Sequence, residues 1–159
     1  MLKTSFCILF AVSAAWAQAG SSSTNPSSKE LVAIQKAVDE AIGAVGGTEL
    51  LQTAKATYLE ELGIFVSLEI ALEPPRNPFT SPASPRTAST PATERQRLVR
   101  EKVKQLVTQR AMLLQSLKPE QSLVIAVHLF NSTDNPKLPG QMIFIVKKQE
   151  PANVVMREQ

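Results

Sequence analysis

The chain has 159 residues, 43% of them hydrophobic and 19% charged, with 17 Lys and Arg against 14 Asp and Glu and a formal net charge of +3. So small an excess is a poor basis for binding a polyanion, and 5% aromatic residues leave few rings on which nucleic acid bases could stack. One cysteine and one histidine rule out an internal disulfide and an ordinary His/Cys zinc site, which needs three or four such ligands.

The chain opens MLKTSFCILFAVSAAWAQAG, which has the three parts of a secretory signal: Lys3, an apolar run over residues 6–15, and the small-x-small triplet Ala17-Gln18-Ala19. The run is shorter than the roughly 20 apolar residues that span a bilayer. The pattern predicts a signal peptide over residues 1–19, cleaved after Ala19, with a second register two residues earlier at Ala15-Trp16-Ala17. The expected product is exported, periplasmic or secreted, with no transmembrane segment after cleavage. Cleavage removes Cys7 and Trp16, so an apolar core alone must hold the mature chain, which at about 140 residues buries roughly 68% of its unfolded surface.

Residues 20–27 are small and polar and read as a disordered N-terminal tail. Ser27 and Glu30 then stand in a capping-box relation. Leu31, Ile34, Val38, Ile42 and Val45 recur at helical spacing up to Gly46-Gly47, where glycine suits a helix end. Residues 50–62 are ambiguous: Leu50, Ala54, Tyr58 and Leu62 fit one helical face, yet KATYLE also fits a strand turning near Gly63. Ile64, Val66, Leu68, Ile70 and Leu72 alternate with Phe65, Ser67, Glu69 and Ala71 and predict a strand. A Pro/Ser-rich stretch over residues 73–92 denies helix and sheet alike and is expected to be a mobile loop inside the domain.

From Thr93 a stripe of Leu98/Val99, Val103, Leu106/Val107, Leu113/Leu114 and Leu117 predicts one long helix, ended by Pro119. Two strands follow, at residues 122–130 and 141–148, around the turn-rich NSTDNPKLPG. Both alternating sets of the first are apolar, which predicts cover on both faces, and the two helices are available to supply it. Residues 151–159 read as a C-terminal tail.

The succession ATYLEELGIFVSLEIAL, a proline-rich gap, a charged amphipathic helix and LKPEQSLVIAVHLF resembles a group of uncharacterised exported bacterial proteins. The resemblance implies a strand before Gly63 and hence a hairpin. It implies no activity, substrate, cofactor or catalytic residue. The expected fold is α+β: a single domain over residues 28–150, with an N-terminal helix followed by a ββαββ core. Its small, mainly antiparallel sheet has about four strands, the long helix packed on one face and the N-terminal helix helping to cover the other.

Candidate sites are few. His128 is set in an apolar run beside Val124, Ala126 and Phe130 and reads as a packed or edge residue bonded through one ring nitrogen. Glu60, Glu61, Glu69 and Glu73 are the nearest thing to paired carboxylates, and solvation explains all four. None of the nucleophile, metal or phosphate-loop motifs G-x-S-x-G, S-x-x-K, H-E-x-x-H, C-x-x-C or the dinucleotide pattern occurs. Asn131-Ser132-Thr133 matches a glycosylation triplet and reads as a turn. Arg97, Arg100 and Lys104 form a basic ridge opposite the apolar stripe that could rest on anionic lipid or an envelope polymer. The expected function is a non-enzymatic binding or assembly module of the cell envelope, needing no cofactor. The alternatives are a small hydrolase using carboxylate or Ser/Thr groups and a peripheral binder of an anionic surface through that ridge. The partner stays unspecified: another envelope protein or an anionic surface, not nucleic acid.

Overall fold

A computed structural model describes residues 25–72, 90–130 and 138–159. The expected signal peptide, Glu73, the loop stretch up to residue 89 and the Asn131-Ser132-Thr133 triplet lie outside the described residues.

Helix α1 spans Ser28–Gly43. Ser27 is extended and its hydroxyl accepts from the Glu30 backbone N–H at 3.2 Å, which satisfies one of the donors a helix start leaves open. Ile34, Ala37, Val38 and Ile42 form its buried stripe. The Thr48 hydroxyl donates to the Val45 and Ile42 carbonyls at 2.8 and 3.3 Å and closes the far end. Gly47, at φ +81, then turns the chain into the sheet.

Residues 50–59, ambiguous in sequence, belong to strand β1, Glu49–Leu59, which forms an antiparallel hairpin with β2, Gly63–Ala71. Register shifts occur between Leu50 and Gln52 and between Gln52 and Lys55, and there the Asp39 carboxylate accepts from Ala54 N–H at 2.8 Å. A side chain from α1 thus takes a strand donor into its own hydrogen bond.

Helix α2, Ala92–Leu113, carries the chain back to the end where β2 began, so β3, Ser122–Phe130, pairs with β2 in parallel. Val99, Val103, Val107 and Ala111 are its fully buried stripe. The helix ends at Leu113, four residues short of the expected Leu117, and Leu114 takes an extended conformation at φ -72 and ψ 98. Leu113 is exposed, while Leu114 and Leu117 fold into the core from the turn beyond the helix. Lys148 reaches that end, and its ammonium donates to the Ala111 and Met112 carbonyls at 2.9 Å each.

β4, Gln141–Lys147, and β5, Val154–Glu158, complete a five-stranded sheet in the order β1-β2-β3-β4-β5, antiparallel except at β2/β3. The fold is α+β with a mixed sheet of five strands, not about four, because the expected C-terminal tail supplies β5.

Both helices lie on the same face of this sheet, contrary to the expectation that they would cover opposite faces. Ile34 and Val38 of α1, Val99 and Val103 of α2, and Val66, Ile125 and Phe144 of the sheet belong to one buried cluster. Widths account for it: five strands about 4.8 Å apart span roughly 24 Å, and helices pack 8–10 Å apart, so two helices are needed to roof one face. α1 lies over β1, and α2 over β3, β4 and β5.

The junction where β2 and β3 begin is tightly built. Gly63 is at φ +111 and faces Ser122 so closely that an added Cβ would overlap the Ser122 carbonyl oxygen. Ser122 N–H donates to the Leu62 carbonyl at 2.8 Å. The buried Gln121 side chain donates to the Glu60 carbonyl at 2.6 Å and the Tyr58 hydroxyl at 2.9 Å, and accepts from Lys118 N–H at 2.9 Å. One amide thereby ties the β1/β2 turn to the end of the crossover.

The helix-free sheet face as candidate functional site

Strand side chains alternate between faces, so the residues between those of the core form a second surface. Among the described residues nothing packs on it as a layer. Cross-strand pairing arranges it in rows. One row is Thr57, Phe65, Val124, Ile145 and Val155; the next is Lys55, Ser67, Ala126, Ile143 and Arg157. A third is Gln52, Glu69, His128 and Gln141, with Ala71 and Phe130 beyond it.

The middle of this face is apolar and its margin polar. Val124 and Ala126 are 5% and 1% exposed at the centre, hemmed by the half-buried Phe65, Ile143 and Ile145. Val155 and Phe130 are 46% and 48% exposed at the β5 edge and one strand end. Lys55, Lys147, Arg157 and His128 are exposed around the margin, with Glu69 half-buried. An apolar centre inside a polar rim is the layout of protein interfaces.

The sequence signal for this surface is the doubly apolar pattern of β3 and β4. It predicted a second covering layer, but among the described residues no helix remains to supply one. His128, expected as a packed or edge residue bonded through one ring nitrogen, is exposed on the helix-free face and so is not packed, while the contact through one ring nitrogen is present. Its Nε2 lies 3.3 Å from Gln141 Nε2, a contact that suits a neutral ring accepting from the amide. Glu69 is its direct cross-strand neighbour, yet no ion pair joins the two.

The other candidates are dispersed. Glu60 and Glu61 are exposed in the β1/β2 turn. Glu69 lies six residues further along β2, roughly 20 Å away at about 3.3 Å per residue. Carboxylates so far apart do not act on one bond. No cluster of three metal-ligating side chains occurs among the described residues. The groove between α1 and α2, lined by Ala41, Lys102 and Gln109 among others, holds about 190 Å³, below the roughly 300 Å³ at which ligand pockets begin.

On the basic helix, Arg97 donates to Glu94 at 2.6 and 2.9 Å and to Glu101 at 2.5 Å. The Arg97 hydrogen bond holds the Glu94 carboxyl below its usual range, against a smaller opposing effect of burial, and Glu94 in turn pushes the guanidinium upward. Arg100 pairs with Glu158 of β5. Lys104 is exposed and forms no ion pair among the described residues. Two of the three ridge cations are thus already matched by carboxylates of the chain itself. No known protein family, curated protein or solved structure matches this chain.

Proposed function

We propose that the protein is an exported module of the cell envelope, without chemistry of its own, that acts by binding through the helix-free face of its sheet. The observation that carries this reading is the apolar patch of Phe65, Val124, Ala126, Ile143, Ile145 and Val155, set inside a polar rim and left without a covering layer among the described residues. Burying such a face stabilises association at roughly 25 cal/mol per Å² of apolar surface. Export is supported by Lys3, the apolar run over residues 6–15 and the Ala17-Gln18-Ala19 triplet. No described helix is long and apolar enough to cross a membrane.

The test is site-specific photo-crosslinking in the producing cell. A photoreactive residue replacing Ile143, on the free face, should give discrete adducts, and one replacing Met112, exposed at the end of α2, should not. Adducts from position 112 alone would overturn the reading and return the helix side, with Arg97, Arg100 and Lys104, as the contact surface.

A further inference from the structure

The two edges of the sheet differ in how far they are closed to a further strand. On β1 the register shifts twice and the Ala54 N–H is already taken by Asp39 of α1, and such irregularities interrupt an edge. On β5 the register to β4 runs through five consecutive pairs without a shift, and among the described residues no strand pairs on its other side. Gln141 and Gln159 exchange both backbone bonds at 3.1 Å. Antiparallel residues alternate between bonded and non-bonded pairs, so Val155 and Arg157 also bond to β4, while Val154, Met156 and Glu158 turn N–H and C=O outward.

Donors and acceptors that repeat about every 6.6 Å along an edge are matched by extended polypeptide backbone. Side chains narrow the choice. Val155, 46% exposed, ends an apolar row of the sheet and leaves room beside it for another apolar residue. Glu158 already pairs with Arg100, and Glu94 and Glu101 with Arg97. Arg157 on β5, and Lys104 one helical turn beyond Arg100 on α2, form no ion pair among the described residues. The charge left unmatched along this edge is therefore positive. We infer that β5 accepts an added strand: an acidic, extended segment of another polypeptide docks along its outer edge. The site is the edge and not the helix-free face, and it stands whether or not that face binds.

A second copy of the chain fits this edge less well. Pairing two β5 strands about Met156 sets Arg157 opposite Val155 of the copy, and pairing them about Arg157 sets the two guanidinium groups opposite each other. Neither register brings Arg157 a carboxylate, whereas a foreign segment with an acidic residue at that place does, and opposite charges across a strand pair are favourable where like charges are not. The gain falls on β5 itself. Of its residues only Val154 is partly buried, and the strand is held by the β4 ladder alone. An added strand gives it a second ladder.

Hydrogen exchange read by NMR tests this with a capped peptide built on Glu-Thr-Val. Running antiparallel, the peptide sets its Glu opposite Arg157, its Thr opposite Met156 and its Val opposite Val155. In the unliganded protein the Met156 N–H should exchange faster than those of Val155 and Arg157, and bound peptide should slow it about tenfold or more. Methylating the Thr nitrogen of the peptide removes the donor that faces the Met156 carbonyl and should abolish the protection. Arg157→Glu should weaken binding about tenfold while circular dichroism stays that of the parent. A Met156 N–H already slow in the monomer overturns the inference, as does the absence of protection up to the limit of the peptide's solubility, or protection that survives methylation. Protection that rises with protein concentration in the absence of peptide makes the occupant a second copy and overturns it as well.

Discussion

Replacing Gly63 by alanine probes the parallel seam at its tightest point. Two effects add. A Cβ at φ +111 occupies a backbone region that costs an L-residue about 1–2 kcal/mol. The same Cβ would overlap the Ser122 carbonyl oxygen and lie 2.9 Å from Ser122 N, both backbone atoms of the paired strand. β3 must therefore shift, with loss of the 2.8 Å bond from Ser122 to Leu62 and loosening of the Gln121 network, each hydrogen bond being worth about 1 kcal/mol. The expected total is about 3–5 kcal/mol, a large share of the roughly 5–15 kcal/mol that holds a domain together. At about 3 °C per kcal/mol for a chain of this size the melting temperature should fall by roughly 10–15 °C. Thermal unfolding followed by circular dichroism measures it, with Gly46→Ala as control, since a Cβ there meets nothing within 4 Å. A Gly63→Ala protein within about 1 kcal/mol of the parent would refute the argument that the Ser122 backbone cannot yield.

Three further outcomes are expected. Asp39→Ala leaves the Ala54 N–H at the β1 irregularity without its acceptor and should cost about 1–3 kcal/mol in urea unfolding, whereas Asp39→Asn, which keeps an oxygen there, should cost less. Lys148→Met removes a cation from the α2 C-terminus and two bonds to its last carbonyls, an expected loss of about 1–3 kcal/mol by the same assay. Glu94→Gln tests the exposed Arg97 cluster by pH. Because the Glu94 carboxyl is held below its usual range, the wild-type advantage is present near neutrality and is lost as the pH falls through that lowered value, so the two unfolding curves should converge in acid. Curves that stay parallel down to acid pH would show that the pairing contributes nothing.

How much of this could be read in the sequence depends on whether the signal was local. The Ser27/Glu30 pair and the Ile34-Val38-Ile42 spacing encode α1 within one turn. The alternation of Ile64 to Ile70 and the turn chemistry around β3 and β4 encode strands within a few residues. β1 was ambiguous because Ala54 and Tyr58 suit both periods, and its pairing with β2 decides the matter. β5 gave no pattern at all: only Val154 of its five residues is partly buried, and it is held by the β4 ladder instead of by an apolar face. The candidate site was visible as composition and missed as geometry. Apolar residues on both faces of β3 were plain, but that both helices are spent on one face follows from sheet width, which depends on the unforeseen fifth strand. Likewise Arg100 is met by Glu158 across 58 positions, a separation no local pattern reports.

The seam between β2 and β3 divides the chain into two antiparallel ladders, α1-β1-β2 and β3-β4-β5, each built from neighbours in sequence. Each ladder can form early and on its own terms; what joins them is nine rungs running from Gly63 opposite Ser122 to Ala71 opposite Phe130, closed only after 59 positions of chain have been brought round. Non-local closure of this kind is what slows folding. Until it occurs the facing edges of β2 and β3 are bare templates for each other, and equally for the same edges of a neighbouring nascent molecule, so the pace at which the seam zips decides between a folded monomer and an exchanged, intertwined pair.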